Sequence, residues 1–127
     1  MIEPINTDKA SEAIGPYSQA IVTDDYIFCS GQIGMDPATG QLVEGLEAQT
    51  NQVLTNLKNV LEAAESDLHH VLKTTVFITN IADFPKVNEI YANFFEKHKP
   101  ARSTVEVSHL PKGALIEIEA IAVRNDD

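Results

Sequence analysis

The run Leu115-Ile116-Glu117-Ile118-Glu119-Ala120-Ile121-Ala122-Val123 constrains this chain more than any other segment. Its alternation and β-branched content read as a strand, and successive side chains on a strand point to opposite faces. Ile116, Ile118, Ala120 and Ala122 therefore share one face, while Leu115, Ile121 and Val123 share the other with Glu117 and Glu119. Neither face is purely polar. Whatever fold contains this strand must cover both sides of it, at least in part.

The remaining elements limit what can do the covering. Gln19–Cys29 is two β-rich runs around Thr23-Asp24-Asp25, a hairpin signature, and a turn-rich stretch from Gly34 to Glu44 follows. From Glu47 to Glu65 the period changes: Val53, Leu54, Leu57, Val60, Leu61 and Ala64 form one helical stripe. Val71–Thr79 is a short β-branched strand. Asp83 then caps a second helix with Pro85 in its first turn and Val87, Ile90, Tyr91 and Phe94 as apolar positions. Strands return at Arg102–Val107 and Leu115–Val123. Residues 1–127 thus read as a single α+β domain: one mixed sheet of about six strands with two helices on one face. Two helices cannot cover both faces, so the second face meets a neighbouring subunit, for which closed cyclic symmetry is the usual form.

Charge and cysteine content remove several function classes. Nineteen acidic residues against nine basic ones give a net charge of −10. Nucleic-acid binding depends on clustered cations that neutralise phosphates. Here seven lysines are scattered, and Arg102 and Arg124 are the only arginines. A nucleic-acid partner is not expected. Cys29 is the only cysteine, and no apolar run approaches the roughly 20 residues of a membrane span. The Met1-Ile2-Glu3-Pro4 start carries no signal-peptide pattern, and the expected setting is cytoplasmic.

Few residues are left to carry chemistry. Arg102 opens a strand after Lys99-Pro100-Ala101 and shares a face with Thr104 and Glu106. A guanidinium matches both oxygens of a carboxylate, so Arg102 serves either a ligand or an internal glutamate. Glu117 is either a carboxylate in water, as alternation alone would have it, or a proton carrier in a partly dry interface beside Arg102. Its pKa has no sign at this stage, because burial would raise it and an arginine would lower it. Gly31 ends an apolar strand, as a bulge or as a backbone donor open to approach. Tyr17 follows a Gly-Pro turn, packed or presented to a pocket. His69 and His70 diverge, His98 and His109 lack ligand spacing, and no zinc, P-loop or dinucleotide signature occurs. Cys29 sits in an apolar strand as an inert residue, and Ser30 has no adjacent base.

Taken in order, several segments resemble the RidA family, also called YjgF. They are Ala13-Ile14-Gly15-Pro16-Tyr17-Ser18-Gln19-Ala20, Ser30-Gly31-Gln32-Ile33, Lys73-Thr74-Thr75-Val76-Phe77 and Val87-Asn88-Glu89-Ile90-Tyr91. Pro100-Ala101-Arg102-Ser103, Val105-Glu106-Val107, Leu110-Pro111-Lys112 and Ile116-Glu117-Ile118-Glu119-Ala120 complete the match. The resemblance implies a chorismate-mutase-like homotrimer with ligand clefts between subunits and no cofactor. It implies hydrolysis of 2-aminoacrylate/2-iminopropanoate and 2-iminobutanoate to 2-oxo acids and ammonia. Carried over by position, Arg102 grips the substrate carboxylate with backbone help from Gly31, and Glu117 positions water and moves protons. Tyr17, Ser30, Asn88 and the Thr104 position line the cleft. Thr104 stands where many members have cysteine, and Glu96–Pro100 is shorter than in many relatives.

Overall fold

The computed structural model describes residues 1–125. Its strands are β1 (Glu3–Ile5), β2 (Ala20–Val22), β3 (Tyr26–Ile33), β4 (Met35–Asp36), β5 (Gln41–Leu42), β6 (Val71–Ile78), β7 (Ala101–Glu106) and β8 (Ile116–Val123). The helices are α1 (Leu46–Ala63) and α2 (Phe84–Phe95). Six strands form one mixed sheet in the order β1-β2-β3-β8-β6-β7, with β6 and β7 parallel and the other pairs antiparallel. β4 and β5 make a separate small ribbon. The expected α+β class and the Gln19–Cys29 hairpin are present, and α2 links the parallel pair β6 and β7.

Helix α1 forms because its apolar stripe has a sheet to cover. Val53, Leu54, Leu57, Val60 and Leu61 are all fully buried, packed in one core with Ile116, Ile118, Ala120 and Ala122 of β8. The helix stops at Ala63, and Glu65 turns the chain with φ of 61°. Asp83 does not cap α2 with its side chain. A 3₁₀ turn at Ile81–Asp83 precedes the helix, and Asn80 caps that turn by accepting from the Ala82 N–H at 3.0 Å. The cap moved upstream because the helical hydrogen bonding begins one turn earlier than Pro85 suggested.

The other sheet face is bare in the protomer, as the pattern of β8 required. Phe28 of β3 pairs with Ile121 of β8, and they are 46% and 36% exposed. Tyr26 on β3 and Val105 on the edge strand β7 lie on the same face and are also exposed. Glu117 and Glu119 of β8 lie on this same face, so its apolar side chains are interleaved with carboxylates. Among the described residues, no helix is long and apolar enough to cross a membrane.

Buried polar side chains of the core hold the loops around β3. Asn56 on α1 is fully buried and donates to the carbonyls of Ile33 and Met35 at 3.2 and 2.9 Å. Gln19 takes the Thr7 N–H at 2.7 Å and donates to the Ser11 carbonyl at 2.7 Å. Each amide satisfies backbone groups that would otherwise be buried without partners. Together they fix the Asn6–Gln19 segment that carries Tyr17.

Candidate functional site

The predicted site residues separate into two clefts. One is formed by Tyr17, Ser30, Gly31, Ile33, Pro111 and Glu117 and holds about 320 Å³. β3 does not end at Gly31. It passes through a bulge between Cys29 and Gln32 and continues to Ile33, where it pairs with Glu117. The bulge brings Gly31 under the Glu117 side chain, and a Cβ built there would overlap the Glu117 carboxylate and stand 2.7 Å from its Cδ. Glycine at 31 therefore makes room for the carboxylate. The Ser30 hydroxyl donates to the Ser18 carbonyl at 2.7 Å, tying the loop of Tyr17 to β3. The Tyr17 side chain is 52% exposed at the mouth.

Glu117 is half-buried on the bare sheet face. Burial raises its pKa above the usual glutamate value, and the Glu119 carboxylate two residues along raises it further. The question left open by composition thus has a direction within the protomer. A carboxylate with a raised pKa is better matched to accepting and returning a proton near neutral pH.

The second cleft lies at the sheet edge, under α2. Arg102 on β7 is half-buried, and its Nη1 donates to Asn88 Oδ1 at 2.9 Å. Its Cζ lies 5.0 Å from the centroid of the Phe84 ring and 4.7 Å from that of Tyr91. Among the described residues, no carboxylate lies within ion-pair distance of Arg102. The internal salt bridge is thereby removed as its role. A pocket of about 370 Å³ opens beside it, walled by Tyr91, Phe95, His98, Lys99 and Pro100. His98 Nε2 bonds to the Val71 carbonyl at 2.6 Å, which anchors the short connection into β7. Two residues beyond Arg102, Thr104 is half-buried, and its Oγ1 is buried without a hydrogen-bond partner.

Arg102 and Glu117 do not meet in one chain. Arg102 pairs with Thr74, whose side chain is fully buried beneath the helices, whereas Glu117 lies on the opposite, bare face. β6 also stands between their strands, a lateral offset of roughly 10 Å. The expectation that the two lie side by side holds for no single protomer. The physical reason is the register: the odd residues of β8 and the even residues of β7 point to opposite sides of the sheet.

Other groups fall outside both clefts. Cys29 is buried on the helix side, and burial pushes its thiol up to about 12, so it is inert. His70 binds Asp67 at 2.7 Å while His69 faces Glu96 at 3.6 Å, so the adjacent pair diverges. Among the described residues, no three His, Cys, Asp or Glu side chains are grouped to hold a metal ion. Sequence reading missed Phe84 and Thr74 and took Tyr91 only as a core position. Phe84, Asn88 and Tyr91 follow helical spacing of four and three, a stripe that could have been matched to the strand after the helix.

These features define a class: a small α+β domain with a cation in one cleft, a carboxylate in another, and a sheet face that no helix covers. The chain belongs to the endoribonuclease L-PSP family, the RidA/YjgF group, whose profile it matches over residues 7–124. It is 51% identical to the human 2-iminobutanoate/2-iminopropanoate deaminase over 121 residues, which is 94% of this chain and 88% of that protein. It is 53% identical to a RutC family protein of Pyrococcus horikoshii, covering 98% of this chain and 99% of the relative. The fold is similar to that of E. coli TdcF with bound serine, at a TM-score of 0.93 and 42% identity, covering 97% of this chain and 99% of that one.

Proposed function

We propose that this protein is an imine deaminase that hydrolyses 2-iminopropanoate, the tautomer of 2-aminoacrylate, and 2-iminobutanoate to 2-oxo acids and ammonia. The carrying observation is Arg102: a guanidinium fixed by Asn88 and two rings, with no internal carboxylate to neutralise it. The relatives named deaminases supply the substrate class. The net charge of −10 and the scattered lysines speak against the nuclease activity named in the family's description.

In this reading the active unit is a closed homotrimer. The bare face bearing Phe28, Ile121 and Val105 is buried between protomers. The Arg102 cleft of one protomer then faces the Glu117 cleft of the next, which resolves their separation within a chain. The buried lone cysteine fits a cytoplasmic setting.

The chemistry follows from the inventory. Arg102 holds the substrate carboxylate through paired N–H donors, with the Gly31 backbone assisting. Tyr17, Ser30, Asn88 and Thr104 shape the cavity. A water held by Glu117 adds its oxygen to the iminium carbon while its proton passes to the Glu117 carboxylate. The proton is returned to nitrogen, the C–N bond breaks with its electron pair leaving on ammonia, and the hydroxyl proton passes by way of Glu117 to that ammonia, giving the 2-oxo acid and ammonium. Positioning converts a collision into a local step, and no covalent enzyme intermediate is needed.

The test couples a threonine dehydratase to this protein and records 2-oxobutanoate release. Release faster than spontaneous hydrolysis supports the reading. Unchanged release with retained 2-oxobutanoate binding would replace the enzyme by a metabolite-binding trimer. A monomer by light scattering would remove the shared site.

A further inference from the structure

The guanidinium of Arg102 is held in an unusual way for a protein with nineteen acidic side chains. Its three neighbours are an amide oxygen and two aromatic rings, all from one stripe of α2 at positions 84, 88 and 91. A glutamate could hold an arginine as firmly, but it would occupy the fork and cancel its charge. Ring faces attract a cation without taking its N–H donors. The Asn88 bond uses one donor of the five, and the rest of the fork has no acceptor among the described residues.

The Tyr91 ring is itself fixed. Its hydroxyl bonds to Thr74 Oγ1 at 2.8 Å, and its ring packs on Phe95 with centroids 4.5 Å apart. Tyr91 is 7% exposed and Thr74 fully buried. Thr74 is also the cross-strand partner of Arg102 in the β6–β7 register. The hydroxyl that pins the ring and the arginine that the ring holds thus spring from paired backbone positions.

We infer that Tyr91 and Phe84 are positioning residues, which keep the plane of Arg102 fixed and its free edge open for a carboxylate, with Thr74 locking Tyr91. The inference rests on the reading of Arg102 as the carboxylate holder and adds the elements that prepare it. An arginine ordered in advance surrenders less rotamer freedom when the ligand arrives, and the gain falls on binding rather than on the bond-making step.

The test measures 2-oxobutanoate affinity by calorimetry, and KM and kcat on dehydratase-generated imine, for folded oligomers. Tyr91→Leu and Phe84→Leu should each weaken 2-oxobutanoate binding and raise KM by about 5- to 20-fold. Their kcat should stay within about twofold of wild type. The paired variant Thr74→Val/Tyr91→Phe keeps the ring and removes the bond that locks it, so its affinity should fall between those of wild type and Tyr91→Leu; affinity equal to wild type would remove Thr74 from the proposal. In an Arg102→Ala background, Tyr91→Leu should change affinity no further. Phe84 is only partly buried, so its variant reads the proposal even where Tyr91→Leu fails to fold. Unchanged KM and affinity in the folded variants, or an equal loss in the Arg102→Ala background, would overturn the positioning role. Failure of wild type to bind 2-oxobutanoate, or unaltered binding by Arg102→Ala alone, would sink the carboxylate site itself.

Discussion

Arg102→Lys separates charge from geometry at the proposed carboxylate site. Lysine keeps the positive charge and its stem can still lie near the Phe84 and Tyr91 rings. It cannot keep the fork. In the structure one nitrogen already gives a 2.9 Å bond to Asn88, while the others are free for a ligand. A single ammonium must divide its donors between Asn88 and the carboxylate, so the parallel pair of N–H···O bonds becomes one. A hydrogen bond to a charged group contributes about 1.5–3 kcal/mol. Losing one therefore lowers kcat/KM by roughly 10- to 150-fold. Arg102→Ala, which loses the charge too, should fall further, by about 2–5 kcal/mol or roughly 30- to 5,000-fold. The assay is 2-oxobutanoate release from dehydratase-generated imine, with circular dichroism and light scattering showing that fold and assembly persist. A lysine variant retaining more than half the wild-type kcat/KM would show that the fork is not used.

Glu119→Gln removes the like charge that helps raise the Glu117 pKa. Because both burial and Glu119 raise the Glu117 pKa, the substitution should lower it and shift the acid limb of the kcat/KM–pH profile to lower pH; an unmoved limb would exclude Glu117 as the base. Gly31→Ala places a methyl group against the Glu117 carboxylate, so turnover should fall at least about tenfold, while overpacking costs about 1–3 kcal/mol of stability in urea unfolding. Normal turnover would show that Glu117 can leave its place at no loss. Ile121→Lys sets a charge in the bare sheet face opposite Phe28. It should shift the mass toward monomer in light scattering and abolish deamination, and an active trimer would mean that this face is not the contact.

The layers of this fold were readable from periodicity because burial leaves a repeating mark. The stripe from Val53 to Leu61 and the even residues of β8 are buried in one core, as their spacing required. The need for something on the second face was equally visible in Ile121 and Val123. Local hydrogen bonding was not. Asp83 has the residue type of a cap, yet Asn80 caps the 3₁₀ turn before it, and nothing in composition distinguishes them. A bulge at Gly31 was one reading of the glycine, but that β3 runs on past it to Ile33 was not readable, because it depends on which residue of β8 each residue of β3 faces. Site residues were found through resemblance more than through pattern. What pattern could not give was their division between the two faces, since Arg102 and Glu117 are far apart in sequence and their relative facing is set by registers across an intervening strand.

That division has a genetic corollary. If each protomer lends a cation to one seam and an acid to the other, two crippled chains can rescue each other. An Arg102→Ala chain still brings a sound Glu117, and a Glu117→Gln chain a sound Arg102. In a ring of three containing both kinds, one of the three seams receives both sound halves, whatever the order. Equal co-expression with random assembly should therefore recover about one quarter of the sites, whereas either chain by itself recovers none.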